Sequence, residues 1–208
     1  MCKVLLIDDQ PMSRLAVSVL LEQEGIEVVG EADNGVSGIS LARSLEPELV
    51  VLDISLPKLD GLEVLARLRQ SLGECKLLVL TSLPASLYAS RCLKAGANGF
   101  LSKQEGLENM RVAIKSVISG YSLFPGEAHA SRAQQLRREP GTGLDDLSDR
   151  ELAVLRKLAN GKNNKEIAEQ LFISHKTVST YKSRLMEKLN TRRLVDLIDF
   201  ARQNELCA

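Results

Sequence analysis

Leu49-Val50-Val51-Leu52-Asp53 is the stretch on which the fold of the first half turns. Runs of four or five apolar residues flanked by polar helical stretches read as strands of a buried parallel sheet. The same form recurs in Val4-Leu5-Leu6-Ile7, followed by Asp8-Asp9, in Leu77-Leu78-Val79-Leu80, followed by Thr81, and in Gly99-Phe100-Leu101-Ser102, followed by Lys103. Parallel sheets of this kind bind ligands at the carboxyl ends of their strands. Three acids, a hydroxyl and an ammonium are therefore expected to meet at one edge.

Working outward, apolar β-like runs alternate with amphipathic segments up to about residue 119, the pattern of βα units. Strands are expected near 3–8, 27–32, 48–53, 76–81 and 98–102, with helices beginning near Pro11, Asn34, Lys58, Pro84 and Glu105. The fold class is α/β, a five-stranded parallel doubly wound (flavodoxin-like) sheet over residues 1–120. Residues 121–143, with Pro125, Gly126, Pro140, Gly141 and Gly143, lack a sustained hydrophobic period and read as a linker, with a short helix permitted over 130–138.

Ser148-Asp149-Arg150-Glu151 is a capping box and opens a second, separate all-α domain over 144–208. Four helices are expected, near 149–160, 164–171, 175–189 and 193–203. Gly161 ends the first, whose buried stripe is Leu152, Leu155 and Leu158. Ser174 caps the third, and Thr191 or a nearby polar group the fourth.

The chain has 208 residues, 44% apolar and 26% charged, an ordinary globular composition, with 27 basic and 27 acidic residues. Residues 1–124 carry 12 basic against 15 acidic side chains, and residues 144–208 carry 12 against 10. This weak asymmetry permits a nucleic-acid role for the second domain. No run approaches the roughly 20 apolar residues of a membrane span, and no signal peptide precedes the first strand, so a cytoplasmic protein with no membrane partner is expected. Cys2, Cys75, Cys92 and Cys207 show neither a CxxC pair nor a partnering histidine, which argues against a disulfide frame or a zinc site.

Clustered aspartates repel one another unless a cation neutralises them, and all-oxygen ligation with room for water suits Mg²⁺. A carboxylate beside Mg²⁺ can attack a phosphoryl group, because the metal offsets the charge on the approaching oxygens. Asp53 is the natural nucleophile, Asp8 and Asp9 form the metal side, Lys103 grips a phosphoryl oxygen, and Thr81 bonds another.

The order and spacing of these residues resemble the receiver domain of bacterial two-component response regulators. Pro57-Lys58-Leu59-Asp60-Gly61 is similar to that family's loop after the acceptor. The resemblance implies that Asp53 is phosphorylated by a sensor histidine kinase or a phosphotransfer domain. It also implies that Mg²⁺ is held by Asp9, Asp53 and the backbone carbonyl of Ser55, with Asp8 acting through water. Thr81 moves toward the phosphoryl group, and Phe100 occupies the place of the switch aromatic. Ser55 and Leu83 lie where such receivers flank the attacking water, and neither offers a carboxylate or amide, so slow dephosphorylation is expected.

In the second domain, residues 166–171 followed by 175–183 read as helix, turn, helix. Val178, Tyr181, Leu185 and Leu189 form the expected core side, while Lys176, Ser179, Thr180 and Ser183, flanked by Lys182 and Arg184, form a polar and basic side suited to a major groove. Leu147-Ser148-Asp149-Arg150-Glu151, Leu158-Ala159-Asn160-Gly161, Asn164-Lys165-Glu166-Ile167-Ala168 and Ile173-Ser174-His175-Lys176-Thr177-Val178 together resemble the helix-turn-helix domain of the LuxR/NarL/FixJ family. By that resemblance Ser179, Thr180 and Ser183 face base edges, and Lys165, Lys176, Thr177, Lys182 and Arg184 hold phosphates. Leu194, Val195, Leu197, Ile198 and Ala201 exceed what a terminal core helix needs, so a homodimer on promoter DNA is expected.

More narrowly, Val51-Leu52-Asp53-Ile54, Lys103-Gln104-Glu105 and Val178-Ser179-Thr180-Tyr181-Lys182 resemble the BvgA-like regulators within this family. RNA polymerase is a further candidate partner. The expectation is a regulator and not an enzyme. A haloacid-dehalogenase-type phosphatase needs a second aspartate two residues after the nucleophile, where this chain has Ser55, and no GxxxxGK loop is present. A DNA-binding protein with an inert receiver is the third reading, and failure of Asp53 to accept phosphate from any small donor would favour it.

Overall fold

In a computed structural model, residues 2–57, 59–126, 143–204 and 206 are described. The short helix expected over 130–138 and the helix start expected at Lys58 lie outside them. The chain divides into two compact units, Met1–Arg132 and Ala133–Ala208.

Unit one contains β1 (Lys3–Ile7), α1 (Pro11–Gln23), β2 (Glu27–Ala32), α2 (Gly35–Leu45), β3 (Leu49–Leu52), α3 (Gly61–Leu72), β4 (Lys76–Thr81), α4 (Ala85–Lys94), β5 (Gly99–Ser102) and α5 (Gly106–Ile118). Every strand pairing is parallel and the order is β2-β1-β3-β4-β5. Central strand β3 is buried along its whole length, which explains its unbroken apolar run. One face, with Val4, Leu6, Val51, Leu78 and Leu80, packs on Val17, Leu20 and Leu21 of α1 and Ala113, Ile114 and Val117 of α5. Helices α2 and α4 contact β1 and β5, and α3 contacts both helices. Alternation of side chains across each strand therefore feeds two cores from one sheet.

Local chemistry sets the helix starts. Pro11 occupies the first turn of α1, where its missing N–H costs nothing. Asn34 caps α2 by accepting from the N–H groups of Val36 and Ser37. Asp60 caps α3 through the Leu62 N–H at 3.0 Å, and the helix begins at Gly61. A Cβ on Gly61 would lie 2.2 Å from the Ile54 Cα, so only glycine lets α3 start against the backbone just after Asp53.

The chain stays on the sheet for a short distance after α5. Gly120, at φ +90°, turns the chain out of α5, and Leu123 then pairs with edge strand β5 through the Phe100 N–H at 2.8 Å and the Asn98 carbonyl at 3.1 Å. An edge strand offers unpaired backbone groups, and Leu123 of the supposed linker uses them.

Unit two contains α6 (Asp149–Ala159), α7 (Asn164–Leu171), α8 (His175–Lys188) and α9 (Leu194–Gln203). The Ser148–Glu151 capping box forms, as does a second one, between Asn163 and Glu166, at the start of α7. Gly161, at φ +74°, ends α6, and Leu152, Leu155 and Leu158 are buried. Ser174 caps α8 through the Thr177 N–H at 3.0 Å. Of the two expected caps for α9, the nearby polar group is the one found: Arg193 precedes the helix, and Asp196 accepts both its N–H and its guanidinium. Tyr181 is only half-buried, whereas Val178, Leu185 and Leu189 are in the core. Among the described residues, no helix is long and apolar enough to cross a membrane.

Candidate functional site

Parallel pairing in register carries the polar residues at the ends of β1, β3, β4 and β5 to one end of the sheet. Asp8 and Asp53 leave adjacent strands, because Ile7 pairs with Leu52. They flank the point where the strand order reverses, the position at which open α/β sheets form a crevice. One carboxylate oxygen from each of Asp8, Asp9 and Asp53 lies within 4.8 Å of the other two. Asp53 is 2% exposed, Asp8 6% and Thr81 fully buried. Burial at this level forces each charge to find a partner.

Lys103 supplies it. Its Nζ lies 2.7 Å from Asp53 Oδ2 and 2.7 Å from Asp8 Oδ2. Burial works against the ammonium, but the Asp53 charge and the hydrogen bonds to Asp53 and Asp8 outweigh it and raise the Lys103 pKa. The other Asp53 oxygen accepts the Ser55 N–H at 2.8 Å. Thr81 Oγ1 lies 3.4 Å from Ser55 Oγ and accepts a long hydrogen bond from the Leu83 N–H at 3.4 Å. Phe100 is 2% exposed, inside the core on β5.

Asp9 is the exception. Its Oδ1 is buried with no hydrogen-bond partner. Burial raises its pKa, the Asp53 and Asp8 charges add to the rise, and Lys103 offsets only part of it. One ammonium for three carboxylates leaves net negative charge and one unserved oxygen, a donor set that fits a hard divalent cation.

Three neighbours of the pocket escaped the sequence reading. Ser13 Oγ donates to Asp8 Oδ2 at 2.6 Å, the Gln10 N–H donates to Asp8 Oδ1 at 2.8 Å, and Arg14 holds the Asp8 carbonyl at 2.6 Å. Arg14 is fixed in turn by Glu31 at 3.0 Å. All three lie at the start of α1, where polar residues look like ordinary helix surface. The signal that could have found them is proximity to Asp8 across one helical turn.

On unit two, Lys165, Lys176, Ser179, Thr180, Ser183 and Arg184 are exposed, while Thr177 and Lys182 are half-buried. The hydroxyls of Ser179, Thr180 and Ser183 donate to the carbonyls of His175, Lys176 and Ser179, one turn back. Asn164, at the start of α7, also reaches this surface: its Nδ2 donates to Ser179 Oγ at 3.3 Å, and its Oδ1 accepts Lys182 Nζ at 3.4 Å. Behind it, Lys188 lies 2.7 Å from buried Glu151 and donates to the Asp146 carbonyl at 3.1 Å. Burial pushes the Glu151 carboxyl up, but Lys188 and the Ser148 groups prevail and hold it below the usual carboxylate range. This pair ties the end of α8 to the start of α6.

Residues 4–115 match the response regulator receiver domain, and residues 145–201 match the bacterial regulatory proteins of the luxR family. The chain belongs to the two-component response regulators that carry a luxR-type DNA-binding domain, a family of transcription regulators and not of conventional enzymes. It is 53% identical to the virulence-factor transcription regulator BvgA of Bordetella pertussis, over 98% of both chains. It is 39% identical to the DNA-binding transcriptional activator EvgA of Escherichia coli K12, over 97% of this chain and 98% of that one. Among solved structures it resembles Salmonella enterica serovar Typhimurium RcsB bound to the promoter P1flhDC in the presence of the phosphomimetic BeF3⁻. The TM-score is 0.71 at 25% identity, over 96% of this chain and 97% of that chain.

Proposed function

We propose that Asp53 is the phosphoacceptor of this regulator and that its phosphorylation controls dimerisation, promoter binding and transcription. The observation that carries the reading is the buried Asp53 carboxylate, with one oxygen on the Ser55 N–H and the other on Lys103, beside the unserved oxygen of Asp9. The donor is a phosphohistidine of a sensor kinase or of a phosphotransfer domain. An Asp53 oxygen attacks phosphorus, the P–N bond breaks, the imidazole leaves with the bonding pair, and an O–P bond forms. Lys103, already 2.7 Å from Asp53, then bonds a phosphoryl oxygen.

Mg²⁺ is the cofactor this reading requires. Asp9, Asp53 and the Ser55 carbonyl would hold it, with Asp8 acting through water, and when bound it offsets the charge on the phosphoryl oxygens. Thr81 is the switch hydroxyl: its long contacts to Ser55 and the Leu83 N–H are readily exchanged for a phosphoryl oxygen. Phe100, buried on the neighbouring strand, moves in response to it.

The receiver spans residues 1–120, extended to Leu123 by its pairing with β5, and the DNA-binding domain spans 144–208. Helix α8 reads the major groove through Ser179, Thr180 and Ser183, with Lys165, Lys176, Thr177, Lys182 and Arg184 on phosphates. Leu194 and Val195, 36% and 59% exposed on α9 while Leu197 and Ala201 are buried, provide the second copy's contact. RNA polymerase and a cytoplasmic location complete the proposal.

Treatment with an acyl-phosphate donor and Mg²⁺, followed by mapping of the modified peptide by mass spectrometry, tests it. Wild type takes one phosphoryl group, on Asp53, and Asp53→Asn takes none. Labelling of wild type at another residue, or none at all, contradicts the assignment.

A further inference from the structure

Asp8 and Asp9 are neighbours with identical chemistry and opposite circumstances. Asp8 accepts three donors: the Gln10 N–H on Oδ1, and both the Ser13 hydroxyl and the Lys103 ammonium on Oδ2, at 2.6 and 2.7 Å. Asp9 Oδ1 is buried and accepts none. A carboxylate oxygen has two lone-pair sites, so Ser13 and Lys103 together fill Asp8 Oδ2. Lys103 cannot account for the difference by itself, because it divides its ammonium between Asp8 and Asp53. Ser13 is half-buried in the first turn of α1 and brings a neutral donor to Asp8 without adding charge to the pocket.

We propose that Ser13 is a positioning residue for the cation site: it keeps Asp8 on Lys103, so that Asp9 is the carboxylate from the end of β1 left open to a divalent cation. The proposal rests on reading the aspartate cluster as a Mg²⁺ site. Its physical content is competition, since a hydroxyl that occupies a carboxylate lone pair withholds it from any cation. Removing the hydroxyl returns one site on Asp8 Oδ2 to the cluster, and the cation gains a third carboxylate beside Asp9 and Asp53. Ser13 thus lowers cation affinity while fixing which aspartate serves as ligand.

Mn²⁺, a spin-active substitute for Mg²⁺, permits a direct test by electron paramagnetic resonance of the free ion during titration of the full-length protein. Ser13→Ala should bind Mn²⁺ about fivefold more tightly than wild type, the equivalent of one modest hydrogen bond. Ser13→Thr, which keeps the hydroxyl, should match wild type. In an Asp8→Asn background Ser13→Ala should change nothing, because the competition it relieves is gone. A role for Ser13 in helix stability alone would shift melting temperature equally in both backgrounds and leave Mn²⁺ affinity unmoved. Unchanged or weaker Mn²⁺ binding by Ser13→Ala overturns the proposal. No binding by wild type overturns the cation reading along with it, whereas binding by wild type with no response to Ser13→Ala removes the Ser13 role only.

Discussion

The pocket at the strand ends and the exposed side of α8 both gather polar groups, yet they hold them in opposite ways. In the pocket, charged side chains from different strands are buried and bonded to one another, as Lys103 is to Asp8 and Asp53. On α8, hydroxyls are exposed and bonded to the carbonyls of their own helix. The first arrangement is preorganised for one small cation, because sheet register sets the distances before any ligand arrives. The second surrenders only local, solvent-accessible bonds when a partner docks, which suits a surface that must adapt to base edges and water. The difference teaches that substitutions in the pocket act through buried charge, and substitutions on α8 through salt-screened attraction.

Lys103→Ala should break the comparison most severely. It leaves two buried carboxylates without their shared cation, at a cost of about 3 kcal/mol in the absence of metal, and labelling by an acyl-phosphate donor should fall steeply. Mg²⁺ should recover part of the stability, which thermal melts with and without the ion would show. A variant as stable as wild type without Mg²⁺ would mean that the pocket is no more demanding than a surface.

Next in size is phosphate lifetime. Ser55 and Leu83 give a water nothing strong to bond, so Ser55→Asn with Leu83→Glu should hydrolyse the aspartyl phosphate about tenfold faster than wild type. Phosphate-affinity gel electrophoresis over time would measure it. A double variant that loses phosphate no faster removes the claim of slow turnover.

On α8 the effects are smaller. Lys182→Ala should weaken binding to all DNA sequences by about 1 kcal/mol and reduce the salt slope by roughly one. Fluorescence anisotropy on matched and scrambled duplexes across a salt series is the check, and a loss confined to one sequence would make Lys182 a base reader instead.

The smallest effect is electrostatic and depends on pH. The Asp9 pKa is raised in the folded protein by burial and by the Asp53 and Asp8 charges, so its ionisation opposes folding. The stability associated with the protonated form is present below the unfolded carboxylate pKa and is lost as pH rises through the raised folded value. Without metal, Asp9→Asn should therefore melt higher than wild type at neutral pH, and the gap should close in acid. Added Mg²⁺ should reverse the order. Melting curves from acid to neutral pH would reveal either trend.

Much of this was legible before any coordinates. Asp8, Asp53, Thr81 and Lys103 each come directly after an apolar run, and a buried parallel strand has little reason to end on such residues at the same edge except chemistry. Ser148 with Glu151, and Gly161, likewise announced the boundaries of α6. Ser13, Arg14 and Asn164 were not legible, because one polar residue in the first turn of a helix carries no periodic signal. Their roles arise from the groups that the fold brings opposite them. The pairing of Leu123 with β5 was hidden for a related reason, since glycine and proline mark where regular structure ends but not whether an edge strand will recruit the residues beyond them. Arg193 before α9 departs from the usual short polar caps, and its partner Asp196 is what makes it serve.

The claim that joins the two regions is that phosphate on Asp53 changes what α8 binds. Selection of genomic DNA fragments by wild type and by Asp53→Asn protein, each with and without an acyl-phosphate donor, measures this directly. The account predicts a defined set of promoter fragments enriched only by donor-treated wild type, with Asp53→Asn unresponsive to the donor. Equal enrichment of the same fragments by all four samples would contradict it.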